Sequence, residues 1–213
     1  DGGFSYGLIK SGTGTLTLNG ANSFTGGLTI TGGSVVLNGN SPLGTGDPIT
    51  MANGTTLQFS ATTVYNDLVV PAGTTVNLVK STGTSYMNGR LIGGGAINES
   101  TGSGSLSSIN WNNDNSGFTG TITSNGGGSH RWRFNTPESG SASAAWILNA
   151  NTTDAYGFNF GADGVISYGA LSGSGYFRNN GNGTPTMRIG DLGTNTTMSG
   201  TTMFSIRMHK VGA

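Results

Sequence analysis

Residues 12–46 read GTGTLTLNGANSFTGGLTITGGSVVLNGNSPLGTG. Three short runs within this stretch, Thr15-Leu16-Thr17-Leu18, Leu28-Thr29-Ile30-Thr31 and Ser34-Val35-Val36-Leu37, each suit a strand. Alternation of apolar and polar residues with a period of two is what a strand with one buried face requires. The breaks between the runs are Asn19-Gly20, Gly26-Gly27, Gly32-Gly33 and Gly39-Asn40, all turn chemistry.

Pieces of this pattern return along the chain. Asn22-Ser23-Phe24-Thr25-Gly26-Gly27-Leu28 is echoed by Asn115-Ser116-Gly117-Phe118-Thr119-Gly120-Thr121 and, more loosely, by residues 195–203 around Met198. A Gly-x-Gly-x-apolar element precedes each copy: Gly12 to Leu16, Gly102 to Leu106 and Gly173 to Phe177. Two elements that recur in the same order point to stacked repeats. Further strands are expected at Thr55–Phe59, Leu68–Val70, Thr75–Val79 and Arg90–Ile92. Ser141–Asn151 has the Ala and Leu density of a helix, but its Ala145–Leu148 core suits a strand equally.

The fold expected is all-β: a right-handed parallel β-helix in one domain, residues 1–213. At roughly 20–25 residues per coil the chain would hold about nine or ten coils. An antiparallel sandwich is the rival, since Asn-Gly and Gly-Gly also make hairpins, but a sandwich has no need of internal repetition. One coil cannot bury its apolar face alone; same-position Leu, Val, Ile and Phe of neighbouring coils must stack into columns.

Composition agrees. Glycine supplies 40 of 213 residues and charged residues only 8%. Disordered chains share that bias, but they lack the spaced clusters of apolar residues seen here, which include 9 Phe, 6 Tyr and 3 Trp. Net charge is zero and the nine Lys and Arg are scattered, so nucleic acid is not an expected partner. No apolar run approaches the ~20 residues of a membrane helix. The opening Asp1-Gly2-Gly3 reads as a mature chain or excised module, without a signal peptide.

The stretch 12–46 resembles the autotransporter-associated β-strand repeat, through Gly-Thr-Gly-Thr-Leu-Thr-Leu-Asn-Gly, Asn-Ser-Phe-Thr-Gly-Gly-Leu-Thr-Ile, Gly-Ser-Val-Val-Leu-Asn-Gly-Asn and Leu-Gly-Thr-Gly. The resemblance extends in part to residues 91–123 and 168–206. It implies a β-helical passenger, secreted or exposed on a bacterial surface, and brings no catalytic residues with it. In size, composition and aromatic placement the chain also resembles the β-helical carbohydrate-binding modules attached to gut bacterial xylanases. That likeness implies a non-catalytic module of a larger, multi-domain glycoside hydrolase, binding plant cell-wall polysaccharide such as xylan-type hemicellulose. The alternative is a passenger segment of a surface adhesin.

All three tryptophans, Trp111, Trp132 and Trp146, fall in one third of the chain, near Tyr156, Tyr168 and Tyr176. Sugar rings stack on flat aromatic rings and their hydroxyls need charged or amide partners. Trp111, Asp114, Arg131, Trp132, Arg133, Tyr156, Tyr176 and Arg178 are therefore candidate ligand contacts. In Arg131-Trp132-Arg133, alternation puts the indole opposite the two arginines. Burying two unpaired arginines costs more, so the arginines are expected outside and Trp132 is drawn toward the core. Trp111, between Asn110 and Asn112, is expected at a turn and half-available as a platform; Trp146 is expected in the core. The seven Asp and two Glu are spread singly, and His130 and His209 have no near metal-ligand partner, so neither enzyme nor cofactor is expected. Asp163 in Gly161-Ala162-Asp163-Gly164 is a possible calcium ligand and more simply a turn residue. The Thr-x-Thr runs raise ice binding, against which their irregular spacing counts.

Overall fold

The computed structural model describes residues 4–40, 43–44, 46–102, 107–125, 130–149, 156–160, 164–178, 184–200, 202–203 and 206–212. Among them every strand pairing is parallel. The partner of a strand always lies about one coil further along the sequence, which excludes the hairpin sandwich. The chain is a β-solenoid of about eight turns. Turn length rises through the middle of the chain and falls again to 21 residues between Val165 and Thr186. Asn19 meets Asn38 after 19 residues, Ser60 meets Thr82 after 22, Thr84 meets Ser108 after 24 and Glu99 meets Ser124 after 25. The long middle turns, reaching 26 residues between Trp132 and Phe158, leave room for fewer of them than the nine or ten expected.

Two sheets build the walls. The narrow one stacks Leu8–Lys10, Leu28–Ile30, Ile49–Met51, Leu68–Val70 and Leu91–Gly93. The wide one begins with Thr15–Asn19, Ser34–Asn40 and Thr56–Val64. It then divides at the long strand Thr75–Met87. The first half of that strand pairs with Ala96–Thr101 and the second half with Ser107–Trp111. Thereafter one flank continues through Thr121–Ser124, Ser141–Leu148 and Val165–Gly173. The other continues through His130–Phe134, Tyr156–Phe160 and Tyr176–Arg178. All the strands anticipated from alternation are present. Ser141–Leu148 resolves to strand, and a single 3-10 turn at Pro137–Ser139 is the helical element among the described residues.

The sequence echo and the structural repeat are not the same thing. Leu28–Ile30, after the first copy, lies in the narrow sheet, whereas Thr121–Ser124, after the second, lies in the wide one. What the second and third copies share is a bridge. Phe118 pairs with Gly93 and Met198 with Gly173, each across one turn and each to a glycine with positive φ.

The core is a set of columns. Leu16, Val35, Leu57 and Leu78 stack in register, and beside them Leu18, Leu37 and Phe59. Val76, Ile97, Ile122, Trp146 and Leu171 form a third column. Each fully buried Leu or Phe contributes about 1.5–3 kcal/mol, against the cost of ordering a glycine-rich backbone. On the second flank Met87, Trp111 and Phe134 stack in the same way.

The polarity of this wall is inverted at one place. Lys80 and Glu99 are both fully buried. Lys80 continues the column of Phe59, and Glu99 that of Leu78. Burial pushes the Lys80 ammonium down from 10.5 to about 8, with the Glu99 carboxylate pulling it back up. Between those values the unfolded chain binds more protons than the folded one, so stability rises with pH through that window. A gain of about 2 kcal/mol between pH 7.5 and 9.5 is expected in urea unfolding. Lys80→Met should remove the rise; a flat wild-type profile would mean that the amine is solvated.

Candidate functional site

The three tryptophans meet in the interior. Trp111 and Trp146 are 1% exposed and Trp132 2%. Trp111 and Trp132 lie 5.6 Å apart between ring centroids, and Trp132 and Trp146 lie 5.8 Å apart edge to face. Phe134 and Tyr168 extend the cluster, 5.6 Å from each other. Edge-to-face and tilted pairs at these separations are the favourable arrangements for aromatic rings. Trp111 and Trp132 are thus core residues and not platforms for a sugar. In Trp111 the correction comes from Ile109, which shares its parity in the strand and points inward with it. Trp146 lies in the core as expected.

The remaining candidates separate into two places. Strand register aligns Asn110, Arg133, Asn159 and Arg178 on successive turns of the second flank, and sets Arg131 beside Ser108 and Tyr156 beside Tyr176. Arg133 and Tyr176 are half-buried. The side chains of Arg131, Tyr156 and Arg178, like the whole of Asp163, lie outside the described residues. The stacking therefore does gather the arginine positions along one flank, without the tryptophans that were to accompany them.

Asp114 belongs elsewhere, at a corner. Its carboxylate accepts the Ser116 amide at 2.9 Å, and the hydrogen bonds from Ser116, helped by the charge of Arg90, hold it below the usual carboxylate range. Arg90 sits one turn below and binds Asp67 one turn lower still. Its Nη2 and Nε donate to Asp67 Oδ2 at 2.6 and 3.1 Å, and its backbone amide donates to Oδ1 at 2.7 Å. Partial burial pushes the Asp67 carboxyl up, but these bonds and the guanidinium charge outweigh it and hold it down. Two carboxylates that read as isolated in the sequence are thus set on either side of one arginine by the coil. The signal was a spacing of 23 residues, which is one turn. Just above, Asn88, Asn112 and Asn135 form an amide ladder with links of 2.7 and 2.6 Å.

The first flank differs from both. From Thr15–Asn19 to Val165–Gly173, Lys80 and Glu99 are the charged residues of its strands among the described residues, and both point inward; Arg188, Arg207 and Lys210 follow at the far end, on Thr186–Ile189 and Arg207–Lys210. Its outward positions carry Thr15, Thr17, Ser34, Thr56, Gln58, Asn77, Asn98, Thr121 and Thr123. Neighbouring rungs are spaced about 4.8 Å apart, the parallel-strand distance. Up to Val165–Gly173 the result is an uncharged surface rich in hydroxyl and amide groups, with Val36, Val79 and Ile147 set among them.

Among the described residues no helix is long and apolar enough to cross a membrane. No curated protein and no solved structure matches the chain. A family model, the passenger-associated-transport-repeat, does match residues 8–37, which here form the strands Leu8–Lys10, Thr15–Asn19 and Leu28–Ile30 and the start of Ser34–Asn40: the opening turns of the stack are similar to that repeat.

Proposed function

We propose that this chain is a passenger segment of a bacterial surface or secreted protein of the autotransporter kind, acting as a rigid, stacked spacer that presents its flanks outside the cell. One observation carries the reading. The transport-associated repeat at residues 8–37 coincides with the first turns of a solenoid whose parallel stacking continues through the described chain. Such a stack suits export in an unfolded state. Each turn contacts only its neighbours, so folding propagates turn by turn as the chain emerges, and with no cysteine in the sequence it needs no oxidant.

The reading predicts that the chain, fused ahead of an outer-membrane barrel translocator, reaches the surface of intact cells. Added protease should remove it there, and an antibody against residues 4–40 should label unpermeabilised cells. Retention inside the cell, with a known passenger exported by the same translocator, would overturn it.

A second reading is supported by the uncharged part of the first flank, from Thr15–Asn19 to Val165–Gly173. The side chains of Thr17, Gln58, Asn77, Asn98 and Thr123 hydrogen-bond to no other described residue, leaving hydroxyl and amide groups free for a neutral polyhydroxylated chain. On this reading the partner is a neutral polysaccharide, xylan-type hemicellulose being the first to try, and the contact is hydrogen bonding along the rungs in place of tryptophan stacking. Migration in native gels containing xylan should be retarded, and Asn98→Lys with Thr123→Lys should abolish the retardation. Equal mobility with and without any neutral polysaccharide would end this reading and leave the first intact.

A further inference from the structure

The columns of the first flank choose poorly among neighbours. Leu16, Val35, Leu57 and Leu78 follow one another in one column, and Leu18, Leu37 and Phe59 in the next. A turn displaced by one rung would meet an aliphatic pair of nearly the same size and lose little, because cores tolerate volume-conserving exchanges. Hydrophobic stacking therefore makes a solenoid without fixing which turn lies on which.

Lys80 and Glu99 break the sameness. Lys80 takes the place after Phe59 and donates from its ammonium to the Thr82 carbonyl. Glu99 takes the place after Leu78, on the next turn, and its charge attracts that of Lys80. Its Oε2 also accepts Ser124 Oγ at 2.9 Å from the turn beyond, and Trp132 Nε1 at 3.2 Å from the second flank. One buried polar cluster thus joins consecutive turns and both flanks of the wide sheet.

We propose that Lys80 and Glu99 pin the stacking register, so that the turn of residues 75–87 lies beneath the turn of residues 96–111 and beneath no other. Slipping by one rung would carry Glu99 away from Lys80 or from Ser124 and leave a carboxylate in an aliphatic column. An uncompensated buried charge costs far more than an exchanged methyl group. Buried polar groups that fix alignment at some expense of stability are best attested in coiled coils, where a single polar residue in the seam does the same. The inference is independent of what the flanks bind and of whether the chain is exported.

The absence of cysteine from the sequence makes the test direct. Asn77 and Asn98 are outward neighbours on adjacent turns, so Asn77→Cys with Asn98→Cys reports the native register by forming a disulfide. Asn77→Cys with Thr123→Cys, two turns apart, joins only if the intervening turn is skipped. Each pair is placed in the wild-type background and beside Lys80→Met with Glu99→Leu, and each protein is unfolded in urea and refolded before oxidation. Wild type should give near-complete joining of the first pair and none of the second. The uncharged background should unfold at equal or higher urea, yet leave at least a fifth of the first pair unjoined and give detectable joining of the second. Complete first-pair joining in both backgrounds would overturn the proposal, reducing the two charges to a stability cost. Should the double replacement fail to fold, Glu99→Gln, which keeps shape and hydrogen-bonding capacity, decides in the same way: a loss of native-pair joining supports the pin and wild-type joining refutes it.

Discussion

Trp132→Ala is expected to lower the free energy of unfolding by about 3–5 kcal/mol, the range for deleting a buried tryptophan. Trp132 is 2% exposed, packs on Trp111, Phe134 and Trp146, and donates its indole N–H to Glu99. The alanine would leave a cavity between two flanks and take one donor from a buried carboxylate, so the upper part of the range is expected. The measurement is a shift of the urea midpoint at unchanged slope, followed through the fluorescence of Trp111 and Trp146. A surface platform behaves oppositely: its removal costs little stability and abolishes binding. A loss below 1 kcal/mol would therefore return Trp132 to the surface and undo the assignment of the aromatic cluster to the core.

Gly173→Ala should be of similar size for a different reason. Gly173 closes the strand Val165–Gly173, pairs with Leu148 below and bridges to Met198 above. Its φ is +117°, and a Cβ built there would fall on the Leu148 carbonyl oxygen. Strained conformation and backbone overlap add, and the neighbour that must yield is main chain, held in a ladder. About 3 kcal/mol or more of destabilisation is expected. Gly14→Ala is the control. Its Cβ would meet nothing within 4 Å, so a change within about 0.5 kcal/mol, or a slight gain from a stiffer unfolded chain, is expected. Equal effects at the two glycines would mean that the turns adjust freely to side chains, contrary to a stacked ladder.

Alternation and turn chemistry made most of the strands legible before any coordinates. Thr15-Leu16-Thr17-Leu18 can hardly be anything but a half-buried strand, and the Asn-Gly and Gly-Gly breaks place its ends. What those local rules do not contain is the number of residues at each corner, which decides the columns. Hence the echo around Phe24 and Phe118 suggested equivalent places, while the strands that follow the two copies lie in different sheets. Hence also Asp67, Arg90 and Asp114 looked unrelated until the turn length joined them. Trp111 was misjudged from the asparagines beside it, although Ile109 two positions earlier already gave its direction. Lys80 and Glu99 carried the same kind of signal, sharing parity with Val76 and Leu78 and with Ile97. The expectation that charges face water hid it, and a conflict of that sort between parity and polarity is where a special role is to be sought.

The direction of the backbone hydrogen bonds has a mechanical consequence. In stacked parallel turns they run along the long axis, so a load applied at the two ends peels bonds one rung after another and never shears a whole sheet. Each rung released pays out 19 to 27 residues of slack, roughly 65–95 Å of extended chain. Under tension the molecule would lengthen in small, even steps at modest force, yielding like a ratchet strap where a sandwich domain would hold and then snap.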